Sequence, residues 1–399
     1  MICIHFRGKE VVKKQRSYVI PNGIGKTNQP KEEFKMKKLS QLSIFTFTIA
    51  LTVLLVLPAA QAVDFKISGQ INRAMLYGDN GKNDDLKFVD NDNSSTRFRF
   101  TGSNEFDGAW TAGINWEVEM QSNPSNDTVI DIGQNDDSTD VDFNERKMEF
   151  YIEHKSFGTL TLGQGPTASD STSEVDLSGT DVVNYASISD MNGGFNFRDG
   201  NDNIITSIGN AFSNFDGFSR RDRIRYDSPM LGPVYFSASY MNGQSYDFAG
   251  RFAYEWDGFG KLAAAASWLP ADTQRDSFKQ YSGSISFLHN SGINLTFSGA
   301  NRYDADNRDE DPYNLYGKVG YKFGKWAFSV DYTYSENVGA DDDEAQSIGT
   351  AVVWNVWESV ELYGSYRWND LDRDSDQRPA GVGNAKSINS VMIGGRVKF

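Results

Sequence analysis

The chain has 399 residues with 54 Asp and Glu against 39 Lys and Arg, so its net charge is −15, and it carries a single cysteine. This acidic balance argues against nucleic-acid binding, which needs a basic surface, and one cysteine excludes an internal disulfide. Aromatic residues make up 13% of the chain and only 10 residues are proline, a composition that suits β-strands.

The N-terminal 62 residues have the organisation of an export signal behind an upstream extension. Met36-Lys37-Lys38 begins a basic patch, residues 44–57 are an apolar run, and Ala60-Gln61-Ala62 is a small-x-small cleavage site. The order is that of a secretory signal peptide, and the run is short for a membrane-spanning helix. We therefore predict a signal peptide over 36–62, and we interpret 1–35, which has no hydrophobic pattern, as an extension from a wrongly assigned start codon.

Removal of this leader changes the charge and the cysteine content. The first 62 residues hold ten Lys or Arg, three Glu and Cys3, so 29 basic and 51 acidic residues remain, with a net charge of −22 and no cysteine. His154 and His289 are far apart in sequence, which gives no His/Cys metal-ligand spacing. We expect no metal and no cofactor. No apolar stretch after Leu57 is long enough for a membrane helix, so a membrane protein of this kind would have to be a closed barrel.

Residues 63–399 are dominated by the alternation of apolar and polar side chains that marks strands with one apolar face. The first strand alternates Phe65, Ile67 and Ile71 with polar residues, and the other strands follow the same rule. The alternation predicts sixteen strands, at about 65–72, 97–101, 110–120, 148–153, 159–164, 221–226, 234–240, 248–256, 262–268, 281–287, 293–297, 313–323, 326–334, 348–354, 362–368 and 391–399.

The last predicted strand is the most informative. Val391, Ile393 and Phe399 lie on one face, and Arg396 and Lys398 lie on the other. An apolar face backed by charge suits a strand between lipid and water. An edge strand of a soluble sheet is the alternative for this segment taken alone, although a chain end is usually frayed and polar.

The connections between strands alternate between short and long. The short ones carry the Gly, Pro or Asn of tight turns, and the long ones are 79–93, 122–142, 165–219, 304–310, 337–345 and 370–386. Short turns on one rim and long loops on the other are typical of membrane barrels. We predict an all-β transmembrane antiparallel up-and-down β-barrel. A soluble sandwich fits less well, because the polar faces could not pack a second sheet and the connections form a meander.

Four segments in order along the chain, 68–73 (SGQINR), 95–102 (STRFRFTG), 157–164 (FGTLTLGQ) and 223–229 (RIRYDSP), resemble Gram-negative general diffusion porins of the outer membrane. The resemblance implies a sixteen-stranded, water-filled channel for passive diffusion of ions and small hydrophilic solutes. It implies a homotrimer with contacts from loop 122–142, a third external loop folded into the pore, and Phe399 as an assembly signal. Outer-membrane lipid and lipopolysaccharide are the implied surroundings. Gln164 departs from the pattern, because such porins often carry a basic residue there.

The long connection 165–219, called loop three below, is the segment where this family places its pore constriction. Its first part, 165–197, has no Lys or Arg and carries five carboxylates, Asp170, Glu174, Asp176, Asp181 and Asp190. The alternation directs nine arginines inward, Arg97, Arg99, Arg221, Arg223, Arg225, Arg251, Arg302, Arg367 and Arg396, with the lysines Lys318, Lys322 and Lys398.

We expect these carboxylates to face the arginine wall across the narrowest part of the pore, in a transverse field that orients dipolar solutes. Neutral residues at Arg223 and Arg225 are then expected to shift ion selectivity towards cations. In the alternative reading, the arginines only solvate the lumen at various heights.

Other functions remain possible at this stage. A solute-specific outer-membrane channel would need an aromatic track, and loop three offers few aromatic residues in its first part. A barrel-embedded hydrolase would need a paired Ser and His, which His154 and His289 do not provide, so we do not expect an enzyme. The external loops are very acidic, either as a solvated surface or to bridge lipopolysaccharide through divalent cations.

Overall fold

The computed structural model describes residues 64–130, 142–270, 278–303, 309–378 and 381–399. The predicted leader, the upstream extension and Cys3 lie outside these ranges, as do parts of loops 122–142, 304–310 and 370–386. Among the residues described, no helix is both long enough and apolar enough to cross a membrane.

The described chain is built almost entirely of strands. They are β1 Asp64–Asp79, β2 Asp84–Asp90, β3 Arg97–Phe106, β4 Trp110–Gln121, β5 Asp142–His154, β6 Gly158–Pro166, β7 Asn196–Arg198, β8 Ile204–Ser207, β9 Arg220–Asp227, β10 Val234–Met241, β11 Tyr246–Trp256, β12 Gly260–Leu269, β13 Lys279–His289, β14 Ile293–Tyr303, β15 Tyr313–Phe323, β16 Trp326–Glu336, β17 Glu344–Trp357, β18 Val360–Asp372 and β19 Ile388–Lys398. Loop three also contains two short helices, α1 Ser189–Asn192 and α2 Ile208–Ala211.

The strands close into an antiparallel barrel. Each wall strand pairs with its neighbour in the chain, and β1 pairs with β19 from Gln70↔Lys398 to Asp79↔Asn389. β1 also pairs with β3 along its first half and with β2 along its second half, so β2 and β3 form one wall strand interrupted by the 3-10 helix Asp92–Ser94. The wall therefore has sixteen strands, and the predicted fold class is confirmed.

The two faces of the wall follow the alternation that the sequence predicts. On β4, Ile114 and Trp116 are exposed on the outside, whereas Glu117 and Glu119 are buried inside. The same arrangement on the other strands gives an apolar outer surface, as a barrel in lipid requires.

Connections at one rim are tight turns, and glycine makes some of them possible. In the turn between β13 and β14, Gly292 has φ 96°, and a Cβ there would lie 2.0 Å from the carbonyl oxygen of Lys322. Only glycine combines that conformation with so close an approach of the backbone. The opposite rim carries the longer loops, with one correction: Asp84–Asp90 of the predicted long connection 79–93 is strand β2, so the turn that follows β1 is only residues 80–83.

Part of the lumen is filled by an apolar core. Buried side chains of loop three pack against inward-facing residues of neighbouring strands. The larger members of this core are Leu76, Val89, Ile130, Val182, Val183, Ile188, Met191, Phe195, Phe197, Ile208, Phe212, Tyr316, Val353, Tyr363, Leu371, Ile388 and Met392. Loop three is therefore a packed element with its own core, which leaves the open part of the lumen on the side of β3, β4, β5 and β9.

Candidate functional site

Loop three lies along the inner face of the wall and is bonded to one strand after another. Thr172 Oγ1 is 2.8 Å from Ser267 Oγ on β12, and the backbone N–H of Val175 donates to Ser284 Oγ on β13 at 2.9 Å. Further along, Asn192 Nδ2 donates to Ser390 Oγ on β19 at 2.7 Å. The loop thus follows the inner face of the wall from β12 to β19.

A polar cavity of about 500 Å³ remains between loop three and the wall at β3, β4, β5 and β9. Its charged lining comprises seven carboxylates and three arginines, Asp92, Glu119, Asp170, Glu174, Asp181, Asp190 and Asp216, with Arg97, Arg146 and Arg220. Four of the five loop-three carboxylates singled out in the sequence, Asp170, Glu174, Asp181 and Asp190, are among them.

On the loop side, Asp170, Glu174, Asp190 and Asp216 form an acidic cluster. Asn214 Nδ2 donates to Glu174 at 2.8 Å, and the N–H of Ser171 donates to Asp216 at 2.8 Å. Burial and then the neighbouring carboxylates raise the pKa of Glu174 well above its usual range. Burial also raises the pKa of Asp190 to about 7 and that of Asp216 to about 6. Like charges in a low-dielectric site favour the neutral form, so burial and crowding both act against ionisation of Glu174, Asp190 and Asp216.

Two further loop groups complete that side of the cavity. The Tyr185 hydroxyl donates to Asp190, and burial raises the pKa of the tyrosine well above its usual range. Asp181 is open to the cavity. Desolvation by the surrounding protein, and then the negative charge of Asp176, raise the pKa of this carboxyl.

On the wall side, the arginines are held by carboxylates of β4. Glu117 pairs with Arg97 at 3.6 Å and with Arg146 at 2.8 Å, and it also binds Arg99. Arg146 binds Glu119 as well. The positive charge of this wall is therefore largely offset within the wall itself.

Arg146, Arg220 and Asp216 were not among the predicted site residues. A bulge causes the first omission: Glu117 lies opposite Lys147 and Val118 lies opposite Glu145, so Arg146 is the extra residue. A bulge breaks the alternation that assigns faces, and only the polar run before Met148 hinted at it. Asp216 and Arg220 lie beyond the first part of loop three.

Three of the predicted arginines hold the start of loop three. Arg223 donates to the carbonyl oxygens of Pro166 at 2.9 Å and Gly163 at 2.7 Å and pairs with Glu149. Arg225 donates to the carbonyl of Thr167, and Arg251 donates to those of Ala168 and Asp170.

The remaining predicted basic residues have local partners among the described residues. Two arginines lie over aromatic rings: Arg221 over Phe218, and Arg302 over Phe215 and Phe278. Four basic residues form ion pairs: Arg396 and Lys398 with Glu361, Arg367 with Asp331, and Lys318 with Asp176. Lys322 lies near Gly179. Asp176 is therefore placed against the wall, in an ion pair 2.6 Å long with Lys318. Of the nine predicted arginines, the structure brings Arg97 to the cavity lining.

Phe399 lies at the seam of the barrel. Its backbone exchanges two hydrogen bonds with Gly69, of 2.9 and 3.0 Å, and its ring centroid is 5.8 Å from that of Phe98.

Three solved structures share this fold at low sequence identity. The anion-selective porin from Comamonas acidovorans is 17% identical, with 85% of this chain and 100% of that chain covered and a TM-score of 0.57. Salmonella typhi OmpF in complex with daunomycin is 14% identical, with 84% and 97% covered and a TM-score of 0.53. The trimer form of in-vitro folded Vibrio cholerae OmpT is 13% identical, with 85% and 100% covered and a TM-score of 0.52. At these identities the likeness shows the fold alone.

A comparison with curated protein sequences found no match. The sequence model of the Gram-negative porin family, in contrast, matches residues 50–374. That family consists of channels rather than enzymes. The chain belongs to the Gram-negative porin family and is a diffusion channel of the outer membrane.

Proposed function

We propose that ions and small hydrophilic solutes cross this channel through the cavity beside loop three, which forms its narrowest section. The observation that carries the proposal is the charge placed there. Five carboxylates of loop three line the cavity on one side, and the wall side carries Arg97, Arg146 and Arg220 together with Asp92 and Glu119. Opposed charges across a narrow wet hole give a transverse field, which orients dipolar solutes and disfavours apolar ones.

The balance of charge supports a preference for cations. Seven carboxylates and three arginines line the cavity, and two of those arginines, Arg97 and Arg146, are already paired with Glu117. Carboxylates that line a pore favour cations. The preference differs from the one named for the Comamonas acidovorans porin, whose similarity concerns the fold.

A general channel fits the lining better than a solute-specific one. Tyr185 is the one aromatic side chain in the lining of the cavity, as far as the described residues go. A track of stacked aromatic rings for a particular solute has no counterpart in that set, so solute choice rests on size and charge.

We further propose that the channel works as a homotrimer in outer-membrane lipid with lipopolysaccharide, after export and cleavage of the leader 36–62. The trimer form named for Vibrio cholerae OmpT and the apolar outer wall support this arrangement. Export explains the basic patch and the apolar run before Ala62.

Single-channel recording of the protein purified from outer membranes tests the proposal. In a planar bilayer under a salt gradient, we expect conductance steps in groups of three and a reversal potential of the sign for cations. Asp181→Asn with Asp190→Asn should move the reversal potential towards zero. Asp85→Asn, a carboxylate paired with Lys87 on β2 and outside the cavity lining, should leave it nearly unchanged. Silence, or no effect of the paired cavity variant, would contradict the proposed passage.

A further inference from the structure

A row of buried charge crosses the wall beneath loop three. Lys318 on β15 lies directly opposite Asp331 on β16, Asp331 lies opposite Gly349 on β17, and Gly349 lies opposite Arg367 on β18. The three charged residues are at most 2% exposed. They therefore lie along one cross-strand row of the sheet, away from solvent.

Gly349 allows its two neighbours in this row, Asp331 and Arg367, to meet. A Cβ at Gly349 would lie 2.4 Å from Arg367 Nη2 and 2.6 Å from Asp331 Oδ2. Because glycine leaves this space open, Arg367 reaches across β17 and its Nη2 lies 3.0 Å from Asp331 Oδ1.

Loop three supplies the partners that the row lacks. The backbone carbonyl of Asn184 accepts from Lys318 Nζ at 2.5 Å, while its side-chain amide accepts from Arg367 and donates to Asp331. Asp176 binds the same Nζ at 2.6 Å. Two cations and two carboxylates thus balance only when the loop is in place.

This balance ties the loop to one position. Buried charges are tolerated when they are paired and hydrogen-bonded, and leaving one unpaired is costly. Thr180 and Asn184 face the wall, with Thr180 Oγ1 2.9 Å from Ser329 Oγ. Asp181 and Tyr185, the next residue in each case, line the cavity.

We propose that Asp176, Asn184, Lys318, Asp331 and Arg367 form a clamp of positioning residues that sets the width of the cavity. The clamp holds loop three against β15–β18, and so it fixes how far Asp181 and Tyr185 project towards the arginines. It sets the size limit for solutes and not the sign of ion selectivity. The inference rests on the proposed passage through this cavity.

The variant Asn184→Ala tests the clamp because it removes the side-chain bonds without adding or deleting a charge. The lost hydrogen bonds to Asp331 and Arg367 no longer hold loop three in one position. We therefore expect the open channel to switch among several conductance levels and to spend roughly tenfold more time away from the main level. Larger neutral polyethylene glycols should enter the pore, while the reversal potential keeps its sign. The matched control is Asn314→Ala. Asn314 is a buried asparagine of β15, the strand that carries Lys318, and its side chain accepts from Ser335 Oγ of β16 at 2.6 Å.

An engineered disulfide between loop three and β16 distinguishes a positioning role from a general loss of structure. In the Asn184→Ala channel, Thr180→Cys with Ser329→Cys should form a disulfide under oxidation and restore the single level and the original size limit. Reduction should release the loop again. Gly349→Ala, which displaces Arg367 without altering loop three, should act in the same direction as Asn184→Ala and serves if the latter does not fold.

The outcomes separate the two proposals. If Asn184→Ala and Gly349→Ala have the same conductance levels and size limit as Asn314→Ala, the proposed clamp is wrong, while the proposed passage of solutes through the cavity is unaffected. If Asp181→Asn with Asp190→Asn leaves the reversal potential unchanged, the passage is wrong, and the clamp falls with it.

Discussion

Glu117 is the carboxylate that three arginines of the wall share. Its side chain is 3% exposed and pairs with Arg97, Arg99 and Arg146. Three arginines so close together repel one another unless a carboxylate offsets their charge. We therefore expect Glu117, which lies behind the cavity lining, to affect the net charge of this wall strongly.

The substitution Glu117→Gln should shift the channel towards anions. Loss of the carboxylate leaves the arginine charge uncompensated, so the reversal potential should move towards the value for anions. We expect the free energy of unfolding to fall by about 2 kcal/mol, less than for a fully buried pair, because Arg99 is 41% exposed. Reversal potential and urea unfolding from lipid vesicles measure the two effects. Glu105→Gln, which breaks an exposed pair with Lys155, should change neither by much.

The acidic cluster should make ion selectivity depend on pH. A carboxyl group is neutral below its pKa and negative above it, and the pKa is raised to about 7 for Asp190 and to about 6 for Asp216. Negative charge in the cavity therefore grows as pH rises through these values, so cation preference should increase between about pH 5 and pH 8. Reversal potentials across that range measure it. The double variant Asp190→Asn with Asp216→Asn should flatten the curve, and a flat curve in the unaltered channel would contradict the prediction.

At the scale of the element, the alternation in the sequence was sufficient for the wall. A period of two identifies a strand and its lipid face from local residues alone, and the sixteen predicted strands are present. The same rule failed where the chain is irregular, at the bulge beside Arg146 and at the 3-10 helix between β2 and β3. It also could not show that Asp176 meets Lys318, because that pairing depends on how loop three packs.

Arg223 shows the difference between the face of a strand and a role in the pore. The sequence predicted that neutral residues at Arg223 and Arg225 would shift selectivity towards cations. In the structure both bind the backbone at the start of loop three. The sequence predicts that these side chains point into the barrel. It does not predict which groups they bind or how high along the barrel they lie.

The substitution Arg223→Gln should therefore loosen the start of loop three more than it changes selectivity. It leaves Glu149 buried without its cation, a change that typically costs about 3–5 kcal/mol. We expect faster proteolysis within loop three and easier urea unfolding. Arg97→Gln is the matched comparison: it alters the cavity lining and should shift the reversal potential towards cations. The interpretation is wrong if Arg223→Gln changes selectivity as strongly as Arg97→Gln does.

At the scale of the whole molecule, loop three divides the lumen unequally. Its apolar core packs against β1, β2 and β19, where Leu76, Val89 and Met392 face inward. The polar cavity lies on the other side, at β3, β4, β5 and β9. The proposed path for solutes is therefore off-centre, and in our proposal the apolar core and the clamp together hold the loop that bounds it.

We expect closure of the barrel to depend on Phe399, which follows the last strand. Phe399 exchanges two backbone hydrogen bonds with Gly69, each worth about 1 kcal/mol net in water and more where no water can replace it. Deletion of Phe399 should therefore lower the fraction of protein that reaches the outer membrane as a folded barrel. Electrophoresis of unheated and heated outer-membrane samples measures that fraction.

Phe323→Ala provides the control for that deletion, because Phe323 is another outward-facing phenylalanine at the end of a strand, 67% exposed, but lies away from the seam. If loss of any exposed aromatic ring impairs assembly, the two variants should behave alike. If closure of β1 on β19 is what matters, the Phe399 deletion should accumulate unfolded protein while Phe323→Ala assembles normally. Normal assembly of the deletion variant would show that the remaining pairs between Gln70 and Asp79 of β1 and β19 are enough to close the barrel.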